Sequence, residues 1–317
     1  MKLIRMSVVA FLVLLLCLPA CRKDAGQGAR KLQVVTTLFP LYDFARIVGG
    51  ERVEVRLLLP PGVEPHNFEP RPEDVARLSK ADVFVYTNKY MEPWAAALLK
   101  GVQNPGLRVV DAGVGAEFIS LAGGENPPQH PGTPEGHQHE GNVDPHIWLS
   151  IPNAEKMVDN IRDGLARRDP AGSDYYLQNA KNYRTLLDDL DVRFEAGLSG
   201  CRQHIFLHGG HYAFGYLAAR YGLQYLSAYA VSPNAEPTPR KLMQLVDQVK
   251  KNSLNAIFYE ELLSPRMAET IARETGAKLL KLHGVHNVSR EDMAAGASYM
   301  SLMEENLKNL RIGLQCR

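Results

Sequence analysis

Ten histidines stand among the 317 residues; three of them fall where an open parallel sheet would place ligands, and His146 is a fourth candidate. His66 comes after an apolar stretch ending at Leu59, His211 after one ending at Leu207, and His283 directly after one ending at Leu282. His146 belongs to Asp144-Pro145-His146-Ile147-Trp148, where a proline restrains the backbone before it and two apolar residues anchor it after. Four neutral imidazoles, or three with a carboxylate, suit a tetrahedral Zn2+ with nitrogen bonds of about 2.0–2.1 Å. A single loop histidine is ordinarily a polar surface group, so it is the shared placement that singles out His66, His146 and His211 as ligands. For the fourth position His283 is the expected ligand, ahead of His286 and of Glu260, which ends the apolar run Ile257-Phe258-Tyr259. His208 is separated from His211 by Gly209-Gly210 and reads as a supporting group; His204 reads as a buried or edge strand residue. His130, His137 and His139 lie in a polar, Gly- and Pro-rich stretch, 129–141, whose composition is that of an auxiliary metal-collecting loop.

These histidines need elements to hold them. Apolar runs over 32–37, 53–59, 82–86 and 108–110 read as strands, alternating with helical patterns over 42–48, 72–78 and 91–99. After 144–150 a helix is expected over 153–166. The second half repeats the alternation: strands over 204–207, 224–228, 255–259 and 278–282, helices over 212–221, 239–251, 265–275 and 291–310. Such alternation argues for largely parallel α/β sheets, which bind ligands beyond the carboxyl ends of their strands. Between the halves, 173–198 carries Tyr176, Ala180, Tyr183, Leu187, Leu190 and Phe194, a 3.6-residue period. About 26 residues at 1.5 Å each make a helix of roughly 39 Å, a rigid linker between lobes. The fold class is therefore α/β in two lobes, each a mainly parallel sheet flanked by helices, joined by one long rigid linking helix. The expected boundaries are 32–170 for the first lobe, 171–200 for the linking helix and 201–317 for the second lobe.

The first twenty residues are not part of that fold. Lys2 and Arg5 precede a short apolar run, too short to span a bilayer as a mature helix, which makes 1–20 a secretory signal. Ala20-Cys21 closes it as in a bacterial lipoprotein signal, with Cys21 the lipid-modified residue, 21–31 a tether, and Pro19 a departure from the usual pattern. Without 1–20 the chain keeps 34 basic against 35 acidic residues, and this balance gives no basic face for nucleic acid. Of four cysteines, Cys17 leaves with the signal and Cys21 takes the lipid, so Cys201 and Cys316 remain as a pair, expected to form a disulfide in an oxidising compartment.

Five motifs occur in order: Thr37-Leu38-Phe39-Pro40-Leu41-Tyr42, Leu59-Pro60-Pro61-Gly62-Val63-Glu64-Pro65-His66, Asp144-Pro145-His146-Ile147-Trp148, His211-Tyr212-Ala213-Phe214-Gly215-Tyr216 and Ala235-Glu236-Pro237. Together they resemble the zinc/manganese solute-binding proteins of bacterial ABC importers, the ZnuA/TroA type, over nearly all of the mature chain. The resemblance implies a two-lobed protein with one metal site in the cleft, acting as a monomer that passes its ion to a membrane permease driven by a cytoplasmic ATPase. It implies a periplasmic or cell-surface lipoprotein that meets the membrane only through its lipid. His66, His146 and His211 match the family histidines. Where the family often has an aspartate after the last strand, this chain reads Leu282-His283-Gly284-Val285-His286-Asn287, with His283 in the aspartate's place. A nitrogen in place of a hard oxygen favours Zn2+ over Mn2+. Imidazoles bind metal only when neutral, so affinity is expected to fall as pH drops through about 6.5.

Two other function classes compete. A secreted zinc hydrolase would need an open coordination position and a general base, and the chain has no His-Glu-x-x-His or Gly-x-Ser-x-Gly motif. A metal-stabilised surface adhesin is the other, to be separated by binding to matrix proteins.

Overall fold

In a computed structural model the described residues are 30–121, 143–231 and 238–317. The chain from Leu32 to Arg317 forms one compact unit. In its first half, strands β1 (Leu32–Thr36), β2 (Val53–Leu57), β3 (Val83–Tyr86) and β4 (Arg108–Asp111) pair in the order β2-β1-β3-β4. In its second half, β5 (Ile205–His208), β6 (Gln224–Ser227), β7 (Ala256–Tyr259) and β8 (Lys278–Lys281) pair in the order β6-β5-β7-β8. Every pairing is parallel. The central strands read as unbroken apolar runs because both faces are covered: Val83, Phe84 and Val85 are all fully buried. In both sheets the order reverses beside the first strand, the switch point at which such sheets leave a crevice for a ligand.

The helices are α1 (Phe39–Gly49), α2 (Pro72–Leu78), α3 (Ala95–Lys100), α4 (Ile151–Arg168), α5 (Ser173–Ser199), α6 (Gly215–Arg220), α7 (Pro239–Lys251), α8 (Arg266–Thr275), α9 (Arg290–Ala294) and α10 (Tyr299–Gly313). Helix α1 starts three residues earlier than its apolar periodicity suggests, because Pro40 is tolerated in a first turn where no N–H is needed. The 27 residues of α5 bury Tyr176, Ala180, Tyr183, Leu187, Leu190, Phe194 and Leu198, the stripe expected from its period. Ser173 lies inside this helix rather than capping it, since the turn Pro170–Gly172 leads directly in. The last helical stretch is two helices and not one. Gly296, at φ +77°, takes a left-handed conformation that ends α9 before Ser298 caps α10.

One apolar core runs from β1 and β3 through α1, α4 and α5 to Phe206, Phe258 and α10. Three buried hydrogen-bonding residues tie the halves across it. Trp148 Nε1 donates to Gly284 O at 2.8 Å, and Tyr299 Oη donates to Trp148 O at 2.6 Å. Asn287 Nδ2 donates to Pro60 O and Val63 O at 2.8 and 2.9 Å. Cys201 and Cys316 are joined by a disulfide across 115 residues of sequence. No described helix is long and apolar enough to cross a membrane.

Candidate metal centre

His66, His146 and His211 meet between the two sheets, with one ligand atom from each lying within 4.8 Å of the others. The Nε2 atoms of His66 and His146 are 3.1 Å apart, and those of His211 and His146 are 3.2 Å apart. Each arrives on a different local device. His66 sits in the single turn Pro65–Asn67 after β2, His211 follows β5 and its Gly209-Gly210 corner, and His146 leads into the turn Ile147–Leu149 before α4. His146 and His211 are fully buried and His66 is partly exposed, so the cluster has one side towards solvent.

Buried carboxylates set the chemistry of these rings. Asp144 Oδ1 lies 2.7 Å from His146 Nδ1 and also accepts the His146 backbone N–H at 3.0 Å. Glu260 Oε2 lies 2.7 Å from His211 Nδ1, and its Oε1 accepts the His211 backbone N–H at 2.8 Å. A carboxylate facing Nδ1 fixes the ring proton there and leaves the Nε2 lone pair free. Two lone pairs aimed at one another at 3.2 Å repel unless a cation lies between them. Nitrogens about 2.05 Å from a tetrahedral zinc are about 3.3 Å apart, close to the spacing found. Burial, reinforced by the neighbouring histidines, holds His66 and His146 well below the usual imidazole range. Both are therefore neutral, as metal ligation requires. Burial pushes the Asp144 carboxyl up to about 7. The same burial would raise Glu260, but the surrounding histidines, His211 first, outweigh it and hold Glu260 at about 2.

At the fourth position the structure separates His283, the ligand expected from sequence, from His286. The His286 ring is fully buried, its centroid 5.6 Å from that of His211. Its Nε2 lies 3.6 Å from Glu64 Oε2, a carboxylate whose other oxygen accepts the His66 backbone N–H at 3.2 Å. Burial would lower His286, yet Glu64 raises it above the ordinary imidazole value. His283 turns to other partners. Its Nδ1 accepts the Val285 N–H at 2.9 Å, and Asn306 clamps its backbone on both sides, at 2.6 and 2.8 Å. Among the described residues, no ring contact or hydrogen bond joins His283 to the triad. Burial, helped by His286 and Lys281 and opposed by Glu261, drives His283 down to about 4. His208 is fully buried behind the site, its Nδ1 3.3 Å from His211 O, and Glu260 serves His211 rather than opening towards the cluster.

The profile of the ZnuA family, zinc-uptake complex component A, periplasmic, matches residues 34–313. The chain belongs to this family. The zinc-binding lipoprotein AdcA of Streptococcus pneumoniae (strain ATCC BAA-255 / R6) is 38% identical over 310 residues, which cover 96% of this chain and 61% of AdcA. The chain thus spans less than two thirds of that relative's length. The high-affinity zinc uptake system protein ZnuA of Bacillus subtilis (strain 168) is 34% identical over 304 residues, 94% of either chain. Among solved structures, the Zn(II)-bound ZnuA-like domain of S. pneumoniae AdcA matches with a TM-score of 0.74 at 36% identity, over 90% of this chain and 99% of that one.

Within the ZnuA family's frame, the described residues also contain groups that the spacing argument passed over. Glu64 and Asp144 each stand two residues before a triad histidine, in Glu64-Pro65-His66 and Asp144-Pro145-His146. That repeated acid-Pro-His phrase was a readable signal. Glu261, buried beside Glu260, had none beyond its neighbour. His130, His137, His139, Cys21 and the motif Ala235-Glu236-Pro237 lie outside the described residues.

Proposed function

We propose that the protein captures zinc outside the cytoplasm and delivers it to an ABC permease for import, as a binding component and not an enzyme. The observation that carries this reading is the convergence of the His66, His146 and His211 ring nitrogens within 4.8 Å, two of them backed by buried carboxylates. An imidazole set of this kind matches zinc in softness and geometry and gives manganese little of the oxygen coordination it favours. The names of the pneumococcal and B. subtilis relatives, a zinc-binding lipoprotein and a zinc uptake protein, support the same cargo.

The fourth ligand on this reading is His286, not His283. The His286 ring faces His211 and has no settled partner on either nitrogen, whereas the Nδ1 of His283 is engaged by its own loop. Glu64, 3.6 Å from His286 Nε2, is the oxygen donor that would serve if the imidazole did not. Lobes at 32–170 and 201–317 close on the metal from either side of α5, and a lipid on Cys21 keeps the protein at the membrane near its permease and ATPase. A Zn2+/Mn2+ competition titration tests the cargo. One tight zinc, displaced by manganese only in large excess, is the expected result, and equal affinity for both ions would overturn it.

A further inference from the structure

A buried carboxylate behind the fourth ligand has no role in the triad. Glu261 follows Glu260 at the end of β7, and its side chain is 2% exposed. Just beyond β7 the two acids go opposite ways: Glu260 to His211, Glu261 to the loop 283–287. There Glu261 Oε2 accepts the Gly284 N–H at 3.1 Å, and Oε1 has no hydrogen-bond partner. A carboxylate oxygen buried in this way is costly unless a donor meets it.

The imidazole at its side cannot be that donor. His283 Nδ1 is 3.3 Å from Glu261 Oε1, but that nitrogen already accepts the Val285 N–H, so a neutral His283 has no proton there. In the same loop His286 Nδ1 also has no hydrogen-bond partner, as do His286 Nε2 and His283 Nε2. Glu261 Oε1 and His286 Nδ1 flank one point: a Cβ at Gly284 would stand 2.6 Å from the nitrogen and 3.8 Å from the oxygen. Glycine leaves the path between them open. The loop itself is held under strain, since Val285 is β-branched and takes φ +60°, a conformation that persists only where its surroundings over-determine it. Those surroundings are the Trp148 indole on Gly284 O, Asn306 on both sides of His283, and the Phe39 N–H on His286 O at 3.1 Å.

We propose that Glu261 is the positioning residue of the fourth ligand: its carboxylate takes the Nδ1–H of His286 and presents Nε2 to the metal. The site then repeats one device three times, Asp144 behind His146, Glu260 behind His211 and Glu261 behind His286. The proposal rests on the zinc reading and on His286 as ligand. It adds a negative charge that offsets the lack of any charged ligand in the first ring of donors, and it ties cargo affinity to a residue that never touches the cargo.

The test is a double-mutant cycle, read by zinc titration against a chromophoric chelator in the whole chain. Removing such a carboxylate costs on the order of 10–100-fold in metal affinity, and that loss is expected for Glu261→Gln. In a His286→Ala background the same change should cost less than twofold, because the ring that Glu261 orients is gone. Glu261→Asp, which keeps the charge and shortens the reach, gives the same pattern at smaller size and serves if Glu261→Gln does not fold. An equal loss in both backgrounds, or no loss in either, overturns the proposal while leaving zinc as cargo. A parent protein with no tight zinc would instead sink the zinc reading, and this proposal with it.

Discussion

Glu64-Pro65-His66 and Asp144-Pro145-His146 place an acid two residues before a histidine of the cluster, and in both the acid accepts the histidine's own backbone N–H. The proline removes one donor and fixes φ, so the short loop has few other ways to arrange itself. Each phrase therefore builds a ligand and its electrostatic setting together. This logic bears on the proton balance of loading. His286 is held above the ordinary imidazole range by Glu64 and carries a proton at pH 7, whereas His283 is pushed down to about 4 and carries none. Zinc binding at pH 7 should therefore release about one proton more if His286 ligates than if His283 does. Calorimetry in buffers of different ionisation enthalpy measures it directly. The sign follows: affinity gains as pH rises through the region where His286 gives up its proton. At the acid end, His66 and His146 stay neutral below 6.5 because burial lowers both. Below the range where His286 gives up its proton, the further loss of zinc due to His66 and His146 should therefore come lower than the free-imidazole value of about 6.5 suggests.

At the scale of elements, the positions that could be read from sequence were those fixed by regular periodicity. The stripe from Tyr176 to Phe194 and the strand ends before His211 and His283 follow from apolar spacing alone. The path of the loop 283–287 did not. Which imidazole faces the triad depends on the positive φ of Val285 and on Trp148 and Asn306 from distant segments, and no local pattern encodes those contacts. Gly296 likewise ends α9 through a left-handed turn inside what reads as one continuous helix. The Cys201–Cys316 bond pins the C-terminus, just beyond α10, to the chain leading into β5. Its 115-residue separation corresponds to about 4–5 kcal/mol of stabilisation in the chain-entropy account. Reduction, or Cys316→Ser, should lower the unfolding free energy by an amount of that order, and the denaturant midpoint with it, while leaving zinc stoichiometry intact. An unchanged midpoint would remove the bond from the stability of the fold.

At the scale of the whole molecule, two parallel sheets with matching strand order flank the histidine cluster and share the largest of three core clusters among the described residues. Helix α5 packs along that core, and the Trp148, Tyr299 and Asn287 hydrogen bonds cross it. Rigid packing of this kind leaves little room for hinge closure. Solution scattering of metal-free and zinc-loaded protein should differ only slightly, and a large change in radius of gyration would show a hinge that this packing does not allow. The central claim is that zinc is held by imidazole nitrogens from both halves. X-ray absorption at the zinc edge of the loaded protein measures that shell. The result anticipated is a four-coordinate shell at about 2.0–2.1 Å, with the outer scattering of at least three imidazoles, reduced by one imidazole in His286→Ala. A six-coordinate oxygen shell, or fewer than three imidazoles in the parent, would contradict it.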